Sequence, residues 1–222
     1  MGGAAFVAAL AYLASFYCVT LASPSGNPAE NLAHILVDVL LFAAFAAHHS
    51  LFARRRGKQL MRRLVPAHLE RAAYVWIASA LAVGMGLLWQ PVAGLVYQVE
   101  GLLRLPFWSI QLAGAALTVL GARVVSAFEL AGINQAAGRT VGGNVRIVGP
   151  FRFVRHPIYL GWVLMVFGTP MLTANRLVFA AVSTLYLILA IPWEERSLVA
   201  DHGDRYSAYQ QTVRWRLVPG IW

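Results

Sequence analysis

With 222 residues, 59% of them hydrophobic and only 12% charged, and a mean hydropathy of +0.62, the chain is too apolar for an ordinary soluble domain and reads as an integral membrane protein. Its net charge of +9 is carried by basic residues that flank apolar spans instead of forming one solvated face. That pattern speaks for topology and attraction to anionic headgroups, and against a nucleic-acid partner. The single cysteine, Cys18, excludes an intrachain disulfide.

Six segments have the length and composition to cross about 30 Å of hydrocarbon: roughly 3–22, 31–53, 71–90, 106–127, 157–174 and 177–193. The expected fold is all-α, a polytopic transmembrane bundle of about six helices. No linker divides it, so 1–222 reads as a single domain, with a four-helix part (1–128) and a C-terminal part (129–222). Fifteen of the 18 lysines and arginines follow the second, fourth or sixth segment, which by the positive-inside rule places both termini in the cytoplasm.

In chain order, the second segment carries His34, Asp38, His48 and His49 on one broad face. His34 and Asp38, four apart, are placed to satisfy each other. His48 and His49 are adjacent and diverge by about 100°, so they cannot chelate one metal from a regular helix, and no metal site is expected. The stretch from Arg54 to Glu70 is strongly basic, with Leu60, Met61, Leu64 and Val65 as its apolar positions, and predicts an interfacial helix. Gly84 and Gly86, then Gly114 and Gly121, predict close helix packing. Residues 129–148 hold four glycines together with Asn134 and Gln135. That length favours a binding loop over a plain connector.

The C-terminal third concentrates the chemistry. Arg155-His156-Pro157-Ile158-Tyr159-Leu160-Gly161 opens the fifth segment, and Glu194-Glu195, Gly203, Tyr206 and Tyr209 follow the sixth. Polar residues at the rim of a membrane hairpin are costly unless they bind something. Pro157 suits a first helical turn, since its missing N–H would be unsatisfied there anyway. The two segments, separated only by 173–176, predict an antiparallel hairpin that brings His156 and one glutamate to the same membrane level.

The stretch Gly149 to Gly161, followed by Glu194 to Tyr206 and Tyr209, resembles the C-terminal region of the isoprenylcysteine carboxyl methyltransferase and phospholipid methyltransferase superfamily. A looser likeness runs upstream through His49-Ser50, Val65-Pro66, Glu70-Arg71, Tyr74 and Val99-Glu100-Gly101, and is to bacterial membrane methanethiol S-methyltransferases and their relatives. The resemblance implies S-adenosylmethionine as cofactor in a cytoplasm-facing pocket. Its contacts carry over to Gln135, Val145, Arg146, Ile147, Phe151, His156, Pro157, Tyr159 and Glu194. It also implies a multi-pass protein of a bacterial inner membrane and a small or lipophilic methyl acceptor, most simply a thiol. His49 and Glu195 are the candidates for a base or charge partner in the transfer itself.

Carboxyl-methylating relatives place an arginine four residues before the cofactor glutamate, and this chain has Ala190 there, which points away from a carboxylate acceptor. Methylation of a lipid head group, another amine or an isoprenylcysteine carboxylate stays open at this point. So does a non-enzymatic reading in which the histidine face holds haem or a quinone.

Overall fold

The computed structural model describes residues 2–52, 54–125 and 147–222. It is mostly helical, at 75%, and four of its helices are long and apolar enough to cross a membrane: Pro28–Phe52, Glu70–Leu88, Gly101–Val125 and Ala174–His202. Ala4–Thr20 and Pro157–Phe167 are shorter apolar helices. The α-helices in chain order are α1 (Gly2–Ser15), α2 (Asn31–Phe52), α3 (Arg55–Leu64), α4 (Glu70–Leu88), α5 (Arg104–Val125), α6 (Pro157–Phe167), α7 (Ala174–His202) and α8 (Asp204–Thr212). To the expected all-α chain the structure adds a two-stranded sheet, β1 (Leu95–Gln98) with β2 (Met171–Thr173).

The described residues fall into two compact units, one of 2–52, 54–97 and 171–182, the other of 98–125, 147–170 and 183–222. In the first, α1 ends in a π-helical turn, Phe16–Thr20. Phe16, Trp89, Phe42 and Phe179 meet edge to face there, with Phe16 at 5.7 Å from Trp89 and 5.8 Å from Phe179, geometry that aromatic quadrupoles favour. A Cβ on Gly86 would stand 2.7 Å from the Tyr12 ring, whereas one on Gly84 would meet nothing. Of that expected packing pair, Gly86 alone makes a close approach.

A buried polar clasp ties this unit's loops together. Asn175 Oδ1 accepts from the Val92 amide at 2.9 Å and from the Trp89 indole at 3.3 Å. Thr173 donates to the Leu21 carbonyl, and Asn31 exchanges two hydrogen bonds with the backbone of Ala93. Asp38 accepts from the Gln90 amide at 2.8 Å, while His34 bonds the Pro91 carbonyl at 2.7 Å. In place of the expected direct His34–Asp38 bond, Asp38 serves the Gln90 amide, while His34 serves the Pro91 carbonyl and has Nε2 3.5 Å from the Glu30 carboxylate. α3 is the helix predicted in the basic stretch, with Met61 buried and Leu60 and Leu64 exposed. It is tied to α4 by Arg62 Nε donating to the buried Glu70 carboxylate at 2.5 Å.

In the second unit, α5 and α6 pack through glycine. A Cβ on Gly161 would lie 2.6 Å from the Gly114 carbonyl oxygen, and one on Gly121 would lie 2.7 Å from Ile158. Gly168 meets Ile110 and Gln111 in the same way. Gly114 and Gly121 thus do the close packing expected of them, and Gly161 is a packing residue as well.

The expected hairpin boundaries are corrected. The helix that begins at Pro157 stops at Phe167, not near 174, because Gly168 and Pro170 interrupt it and Pro170 has no N–H to continue the ladder. α7 then starts at Ala174 and runs to His202, through Pro192 and well past 193. Its charged C-terminal third consists largely of good helix formers. Glu194 and Glu195 lie inside this helix and not at its end.

Candidate functional site

The second unit gathers the His–Pro motif and the glutamate pair in one place. Pro157 is the first residue of α6 and its side chain is fully buried, so it sets the helix start. The residue before it, His156, is held at the helix entrance, where its own carbonyl accepts from the amides of Tyr159 and Leu160. Its ring stacks on Tyr159, centroids 5.4 Å apart and planes 14° apart.

Glu194 and Glu195 are successive residues of one helix, so their side chains diverge by about 100° and serve different neighbours. Glu195 is buried and saturated. Its Oε1 takes Arg155 Nε at 2.6 Å and lies 3.3 Å from His156 Nε2. Its Oε2 takes Arg216 Nε at 3.2 Å and Gln210 Nε2 at 3.3 Å.

Glu194 is different. Its side chain is 42% exposed, one oxygen accepts the Tyr159 hydroxyl at 2.6 Å, and His156 Nδ1 is 3.8 Å away. The histidine stands between the two carboxylates, and only one of them faces outward with capacity to spare.

Behind this cluster Tyr206, Tyr209 and Val213 form a small core against Phe151, Leu198 and Val199. Gly203, at φ +56, allows the sharp break between α7 and α8 that turns these tyrosines inward. The Tyr209 hydroxyl donates to the Phe151 carbonyl at 2.8 Å and so fixes the short 3-10 turn Gly149–Arg152. Burial first, then the Glu195 charge, pushes the Tyr209 phenol up to about 12. Tyr206 is raised further, by burial and by the charges of Glu195 and Glu194. Both phenols are neutral at physiological pH.

Of the residues singled out in the sequence, His156, Pro157, Tyr159, Glu194 and Glu195 are brought together. Phe151 is half-buried beside the tyrosine core, and Ile147 is exposed. Gln135, Val145 and Arg146 lie outside the described residues. His49 belongs to the other unit, where its Nδ1 meets the Tyr74 hydroxyl at 2.8 Å and its ring lies against Phe45 and Tyr74. Sequence reasoning missed Arg155, Gln210 and Arg216 as partners of Glu195. The signal for Arg155 was present, since a basic residue directly before the His–Pro step is hard to bury without an acid.

Comparison with known proteins covers the same stretch of sequence. The model of the isoprenylcysteine carboxyl methyltransferase (ICMT) family matches residues 139–200. A methanethiol S-methyltransferase of Pseudomonas deceptionensis is 39% identical over 85% of this chain and 74% of its own length. One from Mycobacterium tuberculosis is 33% identical over 81% of this chain and 76% of its own length. A nurim homolog of Drosophila melanogaster is 24% identical, covering 74% of this chain and 70% of its own. No solved structure matches the chain.

Proposed function

The chain belongs to the methanethiol S-methyltransferase family of membrane methyltransferases, and on that premise we propose that it moves a methyl group from S-adenosylmethionine to a small or lipophilic thiol. The observation that carries the reading is the unequal glutamate pair. A half-exposed carboxylate, held by a tyrosine beside a histidine and backed by a second, neutralised carboxylate, is suited to a cationic ligand.

The bound donor would supply a methyl on a positively charged sulfur. Glu194 is proposed to meet its ammonium group, with Tyr159 fixing the carboxylate's direction. Phe151 and Ile147 are proposed to cover the adenine from the loop side, joined by Gln135, Val145 and Arg146 as family resemblance implies. A sulfonium needs no acid catalyst, so the residues' work is to bind, to orient, and to keep water out of the line between acceptor sulfur and methyl carbon. A thiol with pKa about 8.5 is only a few per cent thiolate at pH 7, so a base adds to the rate. His49 is proposed for that role and Glu195 for positioning, because both of its oxygens are already engaged.

A bacterial inner membrane with both termini cytoplasmic is proposed, a reading that the flanking basic residues support. Ala190 in place of an arginine supports an acceptor without a carboxylate. The test is methyl transfer from labelled S-adenosylmethionine to methanethiol, longer thiols, isoprenylcysteine analogues and phospholipids. Turnover of thiols is expected. Robust carboxyl or amine methylation with no thiol product would replace the acceptor class.

A further inference from the structure

The C-terminal segment 213–222 forms no regular helix or strand, yet it makes the contacts that fix the His–Pro motif from behind. The successive amides of Arg155 and His156 donate to the carbonyls of Trp215 and Arg216, each at 2.9 Å. The Arg155 guanidinium, itself buried, reaches the carbonyls of Val213 and Arg214 through Nη1 at 2.8 and 2.9 Å, while its Nε holds Glu195. Arg216 then closes the circuit on the other oxygen of Glu195.

The segment is built to hold this register. Val213 and Leu217 are buried, the Leu217 amide donates to the Trp222 carbonyl at 2.9 Å, and the Arg216 guanidinium lies over the Trp222 ring at 5.4 Å.

From this arrangement we infer that residues 213–217 are a positioning strap for the cofactor end of the site, and that Arg216 is its key side chain. The strap meets the reacting groups through the backbone of residues 155–156 and through Glu195. Arg155 and Arg216 together supply the positive charge that holds Glu195 inward. That leaves Glu194, with Tyr159, as the carboxylate turned outward to a cation.

Without Arg216, one oxygen of a buried carboxylate keeps, among the described residues, the Gln210 amide. It then competes for the His156 ring, which already stands 3.3 Å from its other oxygen. Loosening the strap should therefore weaken donor binding while leaving the acceptor untouched. By linkage, a donor that needs the strap ordered must in turn order the strap. This inference rests on the donor site proposed above.

The experiment uses the full-length protein in detergent. Hydrogen–deuterium exchange is followed with and without S-adenosylhomocysteine, whose binding is measured separately by calorimetry. The ligand is expected to slow exchange across 213–218 together with 155–156, because buried hydrogen-bonded amides exchange only on local opening.

Arg216→Gln should raise the KM for S-adenosylmethionine and the Kd for S-adenosylhomocysteine about tenfold. The KM for the thiol should stay unchanged, and Arg216→Lys should recover most of the loss. If the wild-type protein binds the ligand with no change in strap exchange, or if folded Arg216→Gln binds as tightly as wild type, the strap inference is overturned while the donor site stands. Should Arg216→Gln not fold, the wild-type exchange experiment decides alone. A wild-type protein that binds no S-adenosylhomocysteine at all would overturn the donor site, and the strap's role with it.

Discussion

His48 and His49 lie among the rings of Phe45, Phe52 and Tyr74, whereas His156 stands between Glu194 and Glu195. Both groups sit at ends of apolar helices, and both combine imidazole with phenol. In the first, no described carboxylate contacts an imidazole, and the buried nitrogens of His48 find no hydrogen-bond partner among the described residues. In the second, two acids and two arginines balance one another around the ring. The comparison teaches that an imidazole takes its chemistry from what faces it. His156 is held between two carboxylates, whereas His49 is oriented by a neutral phenol, the Tyr74 hydroxyl, and His48 by ring contacts alone.

The largest effect should come from breaking the charge balance of the second cluster. Arg155→Met leaves Glu195 buried with a weakened counter-charge, and loss of one partner of a buried pair costs about 3–5 kcal/mol. Chemical denaturation in detergent measures this. A loss below about 1 kcal/mol would mean the pair is effectively solvated and the two clusters are less different than they look.

Next is the thiol step. His49→Phe keeps the aromatic stacking but removes the proposed base, and general-base loss typically costs about 100-fold or more. The fall should appear in kcat for thiol methylation with S-adenosylhomocysteine affinity unchanged. A full-rate His49→Phe enzyme would reduce the first cluster to packing.

Glu194→Gln and His156→Ala should show the complementary pattern. Truncating a charge-assisted contact costs about 2 kcal/mol or more, so each should weaken S-adenosylhomocysteine binding roughly 30-fold. Calorimetric titration of variants that elute as wild type on size exclusion checks this, and unchanged affinity would make the second cluster structural. His34→Ala, in the loop clasp, is the control and should leave affinity alone.

The smallest change is Tyr209→Phe, which removes one hydrogen bond to the Phe151 carbonyl at about 1 kcal/mol. Because the folded protein holds the Tyr209 proton up to about pH 12 against about 10 when unfolded, the protonated phenol's stabilisation is intact below pH 10. It declines as pH rises from about 10 to about 12. Tyr209→Phe should flatten that part of an unfolding profile, and an unaltered slope there would assign it to other groups.

Much of this was legible from residue types. Apolar length found the long helices, Pro157 marked a helix start, and the His–Pro and Glu–Glu spacing found the cluster. The basic stretch after α2 announced its helix. What the sequence hid had physical causes. The stop at Phe167 depended on Gly168 and Pro170 outweighing an apolar run that continues beyond them. The reach of α7 to His202 depended on charged residues being good helix formers, so the glutamate pair did not mark an end. Asp38 and His34 each reach a backbone group more than 50 positions away, which no local spacing encodes. Arg216 is likewise 21 residues from Glu195, on a segment without periodicity.

The glycines where α5 meets α6 carry a further consequence, for insertions and deletions. Gly114 and Gly121 are seven apart, as are Gly161 and Gly168, and all four press on the facing helix. Two helices matched at such spacing behave like a ratchet with few teeth. Adding one residue to α5 between Gly114 and Gly121 turns one contact by about 100° relative to the other and lengthens the helix by 1.5 Å, so side chains with Cβ atoms meet where there is room only for hydrogen. Single-residue indels should therefore be rejected in this stretch, and even a seven-residue insertion, which restores the face, would carry Gly121 about 10.5 Å past Ile158. Because α6 begins at the His–Pro step, the same ratchet sets the height at which the histidine stands along the helix axis.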